Sequence, residues 1–335
     1  MTDTPIRIAL IGAGIFAREA HVPALLRLRD RFTIVAVCAR TTASADALAA
    51  QIGGDVASST DLAALLARGD IEAVDIMLPI DVQPAVVAQA LAAGKHVVSE
   101  KPIAPDVAAG RELIALQSRH AGPVWMVAEN WRYDEAHEQA AALVQDGAIG
   151  RVLAVHLAQH ASHSPGEKYY DTAWRRSDAF PGGYLLDAGV HYVAVLRMIA
   201  GEITAVSAQV ALLRSDLPPA DSLAATLHFA GGALGVYYTG FAAASPWSAP
   251  LTVVGEQGSL RVAQNRVEMV DAAGSVATFP CRAYRGVYRE LKAFAAAIRQ
   301  GQPHRNSPQE GLRDVAVIEG MLEAARTERL VRLAP

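Results

Sequence analysis

The chain has 335 residues, 52% hydrophobic and 19% charged, which excludes a disordered protein and allows one large or two ordinary domains with buried cores. A net charge of −4 gives no electrostatic basis for binding nucleic acid or an acidic membrane surface. The two cysteines, Cys38 and Cys281, make no disulfide or metal framework and read as small core fillers; with no basic leader and no membrane-length apolar run, a soluble cytoplasmic protein is expected.

Short apolar runs come first: Ile6–Ile11, Phe32–Val37, Val74–Leu78, His96–Ser99 and Val124–Ala128. Between them lie Ala-rich amphipathic stretches such as Pro84–Ala93 and Asp106–Arg119, with Gly94 closing one helix and Asp106 opening the next. Strands alternating with helices predict βαβ units, hence an α/β doubly wound parallel sheet over residues 1–128. From residue 129 to 335 the rhythm changes. A helix over Glu135–Gln145 and a strand over Val152–His160 precede a polar, aromatic loop through Pro181, and a helix follows Gly182-Gly183. Strand-like runs then cover Ile203–Leu213, Ser222–Ala230, Ala233–Phe241, Leu251–Val254 and Ser259–Ala263, with a hairpin turn at Gly231-Gly232. Helical patterns over Val287–Arg299 and Pro308–Arg326 close the chain. Consecutive strands of this kind predict an α+β second domain on a large, mostly antiparallel sheet.

"IALIGAGIFAREA" places Gly12, Gly14 and Ala17 in a G-x-G-x-x-A pattern directly after the first strand. The first glycine allows the tight turn, the second admits a pyrophosphate to the backbone, and the small third residue lets the helix pack closely. The helix start offers oriented N–H groups to the phosphates, so the loop Gly12, Ala13, Gly14, Ile15, Phe16 and Ala17 is a dinucleotide site. About 20 residues further on, an NAD site usually carries an acid for the ribose hydroxyls. Here "VCARTT" has Cys38 near that position, followed by Arg40, Thr41 and Thr42, a guanidinium and two hydroxyls suited to a 2′-phosphate. NADP is expected to be preferred, with NAD possible.

"PGGYLLDAGVHYVAVLRMIAG" sets Asp187 and His191 four apart, on one face of a largely apolar helix. An acid and an imidazole in such a helix need a polar cavity or each other, and from this helix alone a self-satisfying core pair stays open.

Together with "GKHVVSEKP" and "ALIGAGIFAREAHVPAL", this motif makes the chain resemble the glucose–fructose oxidoreductase / inositol dehydrogenase / MocA family over nearly its whole length. The resemblance implies a Rossmann domain, a second domain on an open sheet, and NAD(P)-dependent redox chemistry on a sugar, polyol or related hydroxyl compound. It places the catalytic lysine on Lys101, with Asp187 and His191 beside it as catalytic and substrate-binding residues. It also suggests a cis bond at Pro102, and it assigns His21 a packing role in the first helix. Cofactor contacts are expected from Leu78, Pro79, Glu100 and Lys101, and from Gln83, which stands where many members have His.

Lys101 leaves a strand end of a doubly wound sheet, where ligands bind, and should point to the nicotinamide end of the crevice. Oxidising a secondary alcohol sends a hydride to the nicotinamide and a proton to the protein. Imidazole chemistry suits His191 for that proton, Asp187 can orient it or hold Lys101, and the Lys101 ammonium can stabilise alkoxide character; either His191 or Lys101 can be the immediate acceptor. Tyr169, Tyr170, Trp174 and Arg175 suit a polyhydroxylated ring, with Trp174 and Arg175 also reaching the nicotinamide side. "ENWRY" adds Asn130, at cofactor and substrate, and Arg132, at the substrate. His156, His160 and His163 resist a metal reading, since strand residues four apart are separated by roughly 13 Å. Both parities of "DSLAATLHFAGGALGVYYTGFAA" carry apolar residues, which predicts a covered sheet and a homodimer or homotetramer. Dihydrodiol oxidation, redox-assisted glycoside cleavage and a non-catalytic NADP sensor are the competing readings; retention of Lys101, Asp187 and His191 together speaks against the sensor.

Overall fold

The computed structural model describes residues 4–119, 122–176, 182–246 and 249–334, so Pro181, where the second motif begins, lies outside the described residues. The chain divides into two compact units, Met1–Asn130 with Gly286–Leu312, and Trp131–Arg285 with Arg313–Pro335.

The first unit is built on six parallel strands: β1 (Ile6–Ile11), β2 (Phe32–Cys38), β3 (Ala57–Ser59), β4 (Ala73–Ile76), β5 (His96–Glu100) and β6 (Trp125–Ala128). Their order is β3-β2-β1-β4-β5-β6. The centre of the sheet is buried on both faces, which is why its strands read as unbroken apolar runs rather than alternating ones. The order reverses between β1 and β4, so their carboxyl ends open the crevice in which ligands bind to such sheets.

The sequence division at residue 128 leaves every later segment to the second domain. The helix Gly286–Gln300 belongs instead to the first unit. Its apolar stripe carries Leu291 and Phe294, both fully buried, and the Phe294 ring stacks on Phe32 of β2 with centroids 6.4 Å apart. Burying each of these side chains is worth about 1.5–3 kcal/mol. An amphipathic helix joins whichever face it can cover, not the nearest segment in sequence.

The second unit holds nine strands: β7 (Val152–His160), β8 (Ile203–Ala211), β9 (Ser222–Phe229), β10 (Leu234–Gly240), β11 (Ala249–Gly255), β12 (Gly258–Ala263), β13 (Arg266–Asp271), β14 (Val276–Pro280) and β15 (Val331–Arg332). The order is β14-β13-β12-β11-β7-β10-β9-β8-β15, antiparallel throughout except that β7 and β10 run parallel. The β9–β10 hairpin turns at Gly231-Gly232, where Gly232 takes a φ of 85° that favours glycine. β13, β14 and β15 escape the sequence reading because they are short or solvent-facing; β14 has no buried residue. The helix Gly183–Ala200 is the most heavily buried of this unit, as its apolar circumference requires. Among the described residues no helix is long and apolar enough to cross a membrane.

Candidate functional site

The glycine loop follows β1 directly. Gly12 has φ 108°, and a Cβ there would lie 2.3 Å from the Met77 carbonyl oxygen after β4, so only glycine fits. Gly14 is exposed, and nothing lies within 4 Å of where its Cβ would be, leaving the open cradle that a pyrophosphate needs. Ala13, Ile15 and Phe16 are half-buried around it, and Ala17 is fully buried beneath the helix. The loop geometry therefore fits a dinucleotide.

At the end of β2, Cys38 is buried and Arg40 is exposed, with no ion pair among the described residues. Thr41 caps the helix Thr42–Ile52: its hydroxyl oxygen accepts from the Ser44 N–H at 3.2 Å and its proton goes to Ser44 Oγ. Thr42 is exposed at the first position of that helix. Burial, and then the charge of Asp61, push the Cys38 thiol up, so a carboxylate does stand near this strand end although none occupies position 38.

Beyond β4, Leu78 and Pro79 are half-buried. Gln83, expected at the cofactor, is buried, and its amide donates to the carbonyls of Glu100 and Pro102 at 2.5 and 3.2 Å. Its donors are committed to the backbone on either side of Lys101, a correction to its assigned cofactor contact. Glu100 ends β5 with its carboxylate on His21 Nε2 at 2.9 Å, and Lys101 follows, half-buried, with a cis bond to Pro102. His21 is not a simple packing residue: it is fully buried, and its Nδ1 lies 2.7 Å from Asp75 Oδ2.

The second unit gathers another group. Asp187 and His191 lie on the helix Gly183–Ala200, and Asp187 Oδ2 accepts from Arg175 Nε at 2.8 Å. The same guanidinium lies 4.1 Å from the Trp174 ring centroid and 5.0 Å from that of Tyr169. Tyr169, Trp174, Arg175 and Asp187 thus form one cluster, as their assignment to a common substrate requires. Two candidates are committed elsewhere. Tyr170 donates its hydroxyl proton to Asp216 at 2.7 Å, and Arg132 is buried with its Nη2 on both oxygens of Asp314, at 2.8 and 2.7 Å. Each of those two side chains is thus paired with an acid outside the Arg175–Asp187 cluster. Asn130 is half-buried at the start of the short 3₁₀ turn Asn130–Tyr133. Among the described residues no group of three or more His, Cys, Asp or Glu is placed to hold a metal ion.

Residues 6–128 match the oxidoreductase family with an NAD-binding Rossmann fold, and residues 137–261 match the GFO/IDH/MocA C-terminal domain. Dehydrogenase FPY6 of Fusarium mangiferae is 35% identical over 98% of this chain and 99% of its own. The chain belongs to the Gfo/Idh/MocA oxidoreductase family. Inositol 2-dehydrogenase of Rhizobium meliloti is 27% identical over 98% of the chain and 99% of its own length. The crystal structure of an oxidoreductase from Thermotoga maritima superposes with a TM-score of 0.91 at 30% identity, covering 98% of each chain.

Two residues of this Gfo/Idh/MocA chain escaped the sequence reading. Trp131, passed over between Asn130 and Arg132, stacks its ring on His191 with centroids 5.0 Å apart and planes at 12°, and turns an edge to Tyr192 at 5.2 Å. Its position between two chosen residues was the one local signal; the stack on His191, 60 residues away, is a tertiary contact. His163, weighed from the sequence only as a metal ligand, packs with Tyr184 and Phe241 in a cluster of three rings, at 4.6 and 5.4 Å, and burial lowers its pKa. Nothing local in the sequence marks that cluster.

Proposed function

We propose that this oxidoreductase transfers a hydride between a nicotinamide, NADP in preference to NAD, and a secondary hydroxyl or carbonyl of a sugar, polyol or related compound. One observation carries the reading: Lys101 leaves the carboxyl end of β5, separated only by β4 from the strand that feeds the glycine loop. The inositol 2-dehydrogenase relative supports the substrate class. When bound, the nicotinamide supplies the hydride chemistry. Gly12 to Ala17 would hold the pyrophosphate, Arg40 and Thr42 the 2′-phosphate, and Leu78, Pro79 and Asn130 the remainder. Lys101 holds the reacting oxygen and stabilises its negative charge, while His191, its ring fixed by the stack on Trp131, handles the proton. Asp187, oriented by Arg175, presents its carboxylate to the same substrate alongside Trp174 and Tyr169.

A panel of myo-inositol, other polyols and aldoses, run with NADP⁺ and NAD⁺, tests the proposal. Lys101→Met should lower kcat on the reacting compound about 100- to 1,000-fold while NADPH fluorescence titrations stay unchanged. Near wild-type turnover by that variant would overturn it.

The reading extends to assembly. Leu234 and Val236 point out from β10 at 58% and 53% exposure, on a sheet that a second copy would cover, giving a homodimer or homotetramer. A monomeric mass by light scattering at micromolar concentration would exclude it.

A further inference from the structure

Lys101 stands between two residues whose every polar attachment is unusual for a surface turn. The Glu100 carboxyl oxygen lies 2.9 Å from His21 Nε2, and the opposite nitrogen of that ring is 2.7 Å from Asp75 Oδ2. A carboxylate has no proton to donate, so both contacts are hydrogen bonds only if the ring carries two protons or one of the acids is protonated. His21 and Asp75 are both 0% exposed, so water cannot substitute for either partner. Asp75 from β4 and Glu100 from β5 act on the imidazole directly, and Glu290 from the helix Gly286–Gln300 interacts with His21 and with Glu100, Glu129 and Asp75. Asn306 donates to the Glu290 carboxylate at 3.3 Å and to the Glu129 carbonyl at 3.0 Å.

The backbone of the same segment is held separately. Gln83, 1% exposed, donates one amide group to the carbonyls of Glu100 and Pro102, which bracket Lys101. The glycine loop is tied in as well. The Phe16 ring meets His21 edge-on at 5.3 Å, and the first helix widens into a π-helical segment, Ala17–His21, that ends at this histidine. Such segments recur at functional sites, where they re-aim a side chain.

We propose that His21 and Gln83 are positioning residues for Lys101. His21, braced by Asp75, holds the Glu100 carboxylate, and Gln83 holds the carbonyls before and after the lysine, so its side chain departs from a fixed point. The inference rests on the reading of Lys101 as the catalytic group. Burial opposes a charge on His21, but the Asp75 carboxylate and then Glu100 more than offset it, leaving the pKa well above the usual value. The clamp is therefore present at neutral pH and weakens only as pH rises through that raised pKa.

The full-length enzyme carries the test. Gln83→Leu and His21→Leu should each lower kcat about 10- to 100-fold, the scale expected when a reacting group is displaced by a fraction of an ångström to an ångström. For Gln83→Leu, whose hydrogen bonds go only to the carbonyls beside Lys101, NADPH affinity by fluorescence should stay within about two-fold. The donor-retaining variants Gln83→His and His21→Gln should recover part of the loss. A second arm needs no substrate: acetic anhydride labelling of the Lys101 amine, followed across pH by peptide mass spectrometry. Its profile should shift in the leucine variants and return towards wild type in the donor-retaining ones. A brace that merely supports the fold would lower the melting temperature and leave both kcat and the labelling profile unmoved, which would overturn the inference. If His21→Leu does not fold, Gln83→Leu, which strands no buried charge, decides. A fully active Lys101→Met would sink the catalytic reading alone, because labelling still reports whether His21 and Gln83 place the amine.

Discussion

Each unit buries an ionic cluster, and the two are built on opposite terms. In the second unit one carboxylate, Asp314, sits between two guanidinium groups: Arg132 at 2.7 Å and Arg197 at 2.6 Å, all three residues at most 5% exposed. In the first unit one imidazole, His21, sits among acids, with Asp75 and Glu290 wholly buried beside it. Guanidinium groups do not lose protons in a protein, so the first arrangement is a fixed charge lock. The second is held by protons. Burial pushes Glu290 well above the carboxylate range, against the lowering effect of His21. The difference separates a cluster that ties the turn at Arg132 to two helices from one that shares a strand end with Lys101, the group proposed above to hold the reacting oxygen.

Breaking the fixed lock should have the largest effect. Asp314→Ala removes the carboxylate that Arg132 and Arg197 share, while Arg197 keeps Glu202 at 2.8 Å, and should cost about 3–5 kcal/mol of unfolding free energy. With both guanidinium groups charged throughout, the loss measured by urea denaturation should be similar at pH 6 and pH 9. A strongly pH-dependent loss would erase the contrast.

The proton-held cluster predicts the reverse behaviour. His21 and Glu290 both have raised folded pKa values, above 6.5 and 4.5 respectively. Their contribution is complete below those ordinary values and declines as pH rises through the folded ones, so stability should fall as pH rises above them. Glu290→Gln keeps the shape and removes one titration. Where Glu290 titrates, the slope of stability against pH should flatten by up to about 1.4 kcal/mol per pH unit. Parallel curves for variant and wild type would mean that Glu290 holds no proton.

The smallest effect belongs to charge standing in water. Arg40→Ala should weaken NADPH binding roughly five-fold, as befits a screened, exposed pair, and leave NADH binding unaltered. Equal loss for both nucleotides would remove Arg40 from the 2′-phosphate site. The nearby Asp61 carboxylate opposes the same preference, so Asp61→Asn should favour NADPH further.

The central strands of the first sheet were legible because burial on both faces leaves an unbroken apolar signature, and the glycine loop because its turn tolerates almost nothing else. The pairing of Asp187 and His191 on one helix was legible from spacing alone. Partners distant in sequence were not. His21 meets acids 54 and 79 residues away, and Arg132 meets one 182 residues away; no local pattern announces such contacts. Gln83 shows the same limit in milder form: its residue type allowed a hydrogen bond, but the direction of its donors, towards the backbone beside Lys101 rather than outward, is a tertiary fact. Arg132 and Tyr170 were chosen for their chemistry, and in each case a buried or half-buried acid had claimed it first.

The return of Gly286–Leu312 to the first unit has a consequence for the order of synthesis. In that division the stretch Trp131–Arg285 is an insert between two parts of one body. A nascent chain that has just emerged past β6 holds all six parallel strands, yet Phe32 still lacks Phe294 and the acids around His21 still lack Glu290 and Asn306. The nucleotide-binding half, although its strands precede the insert, is completed only by a segment that follows it, so a chain cut after residue 130 should expose the apolar surface that Leu291 and Phe294 cover.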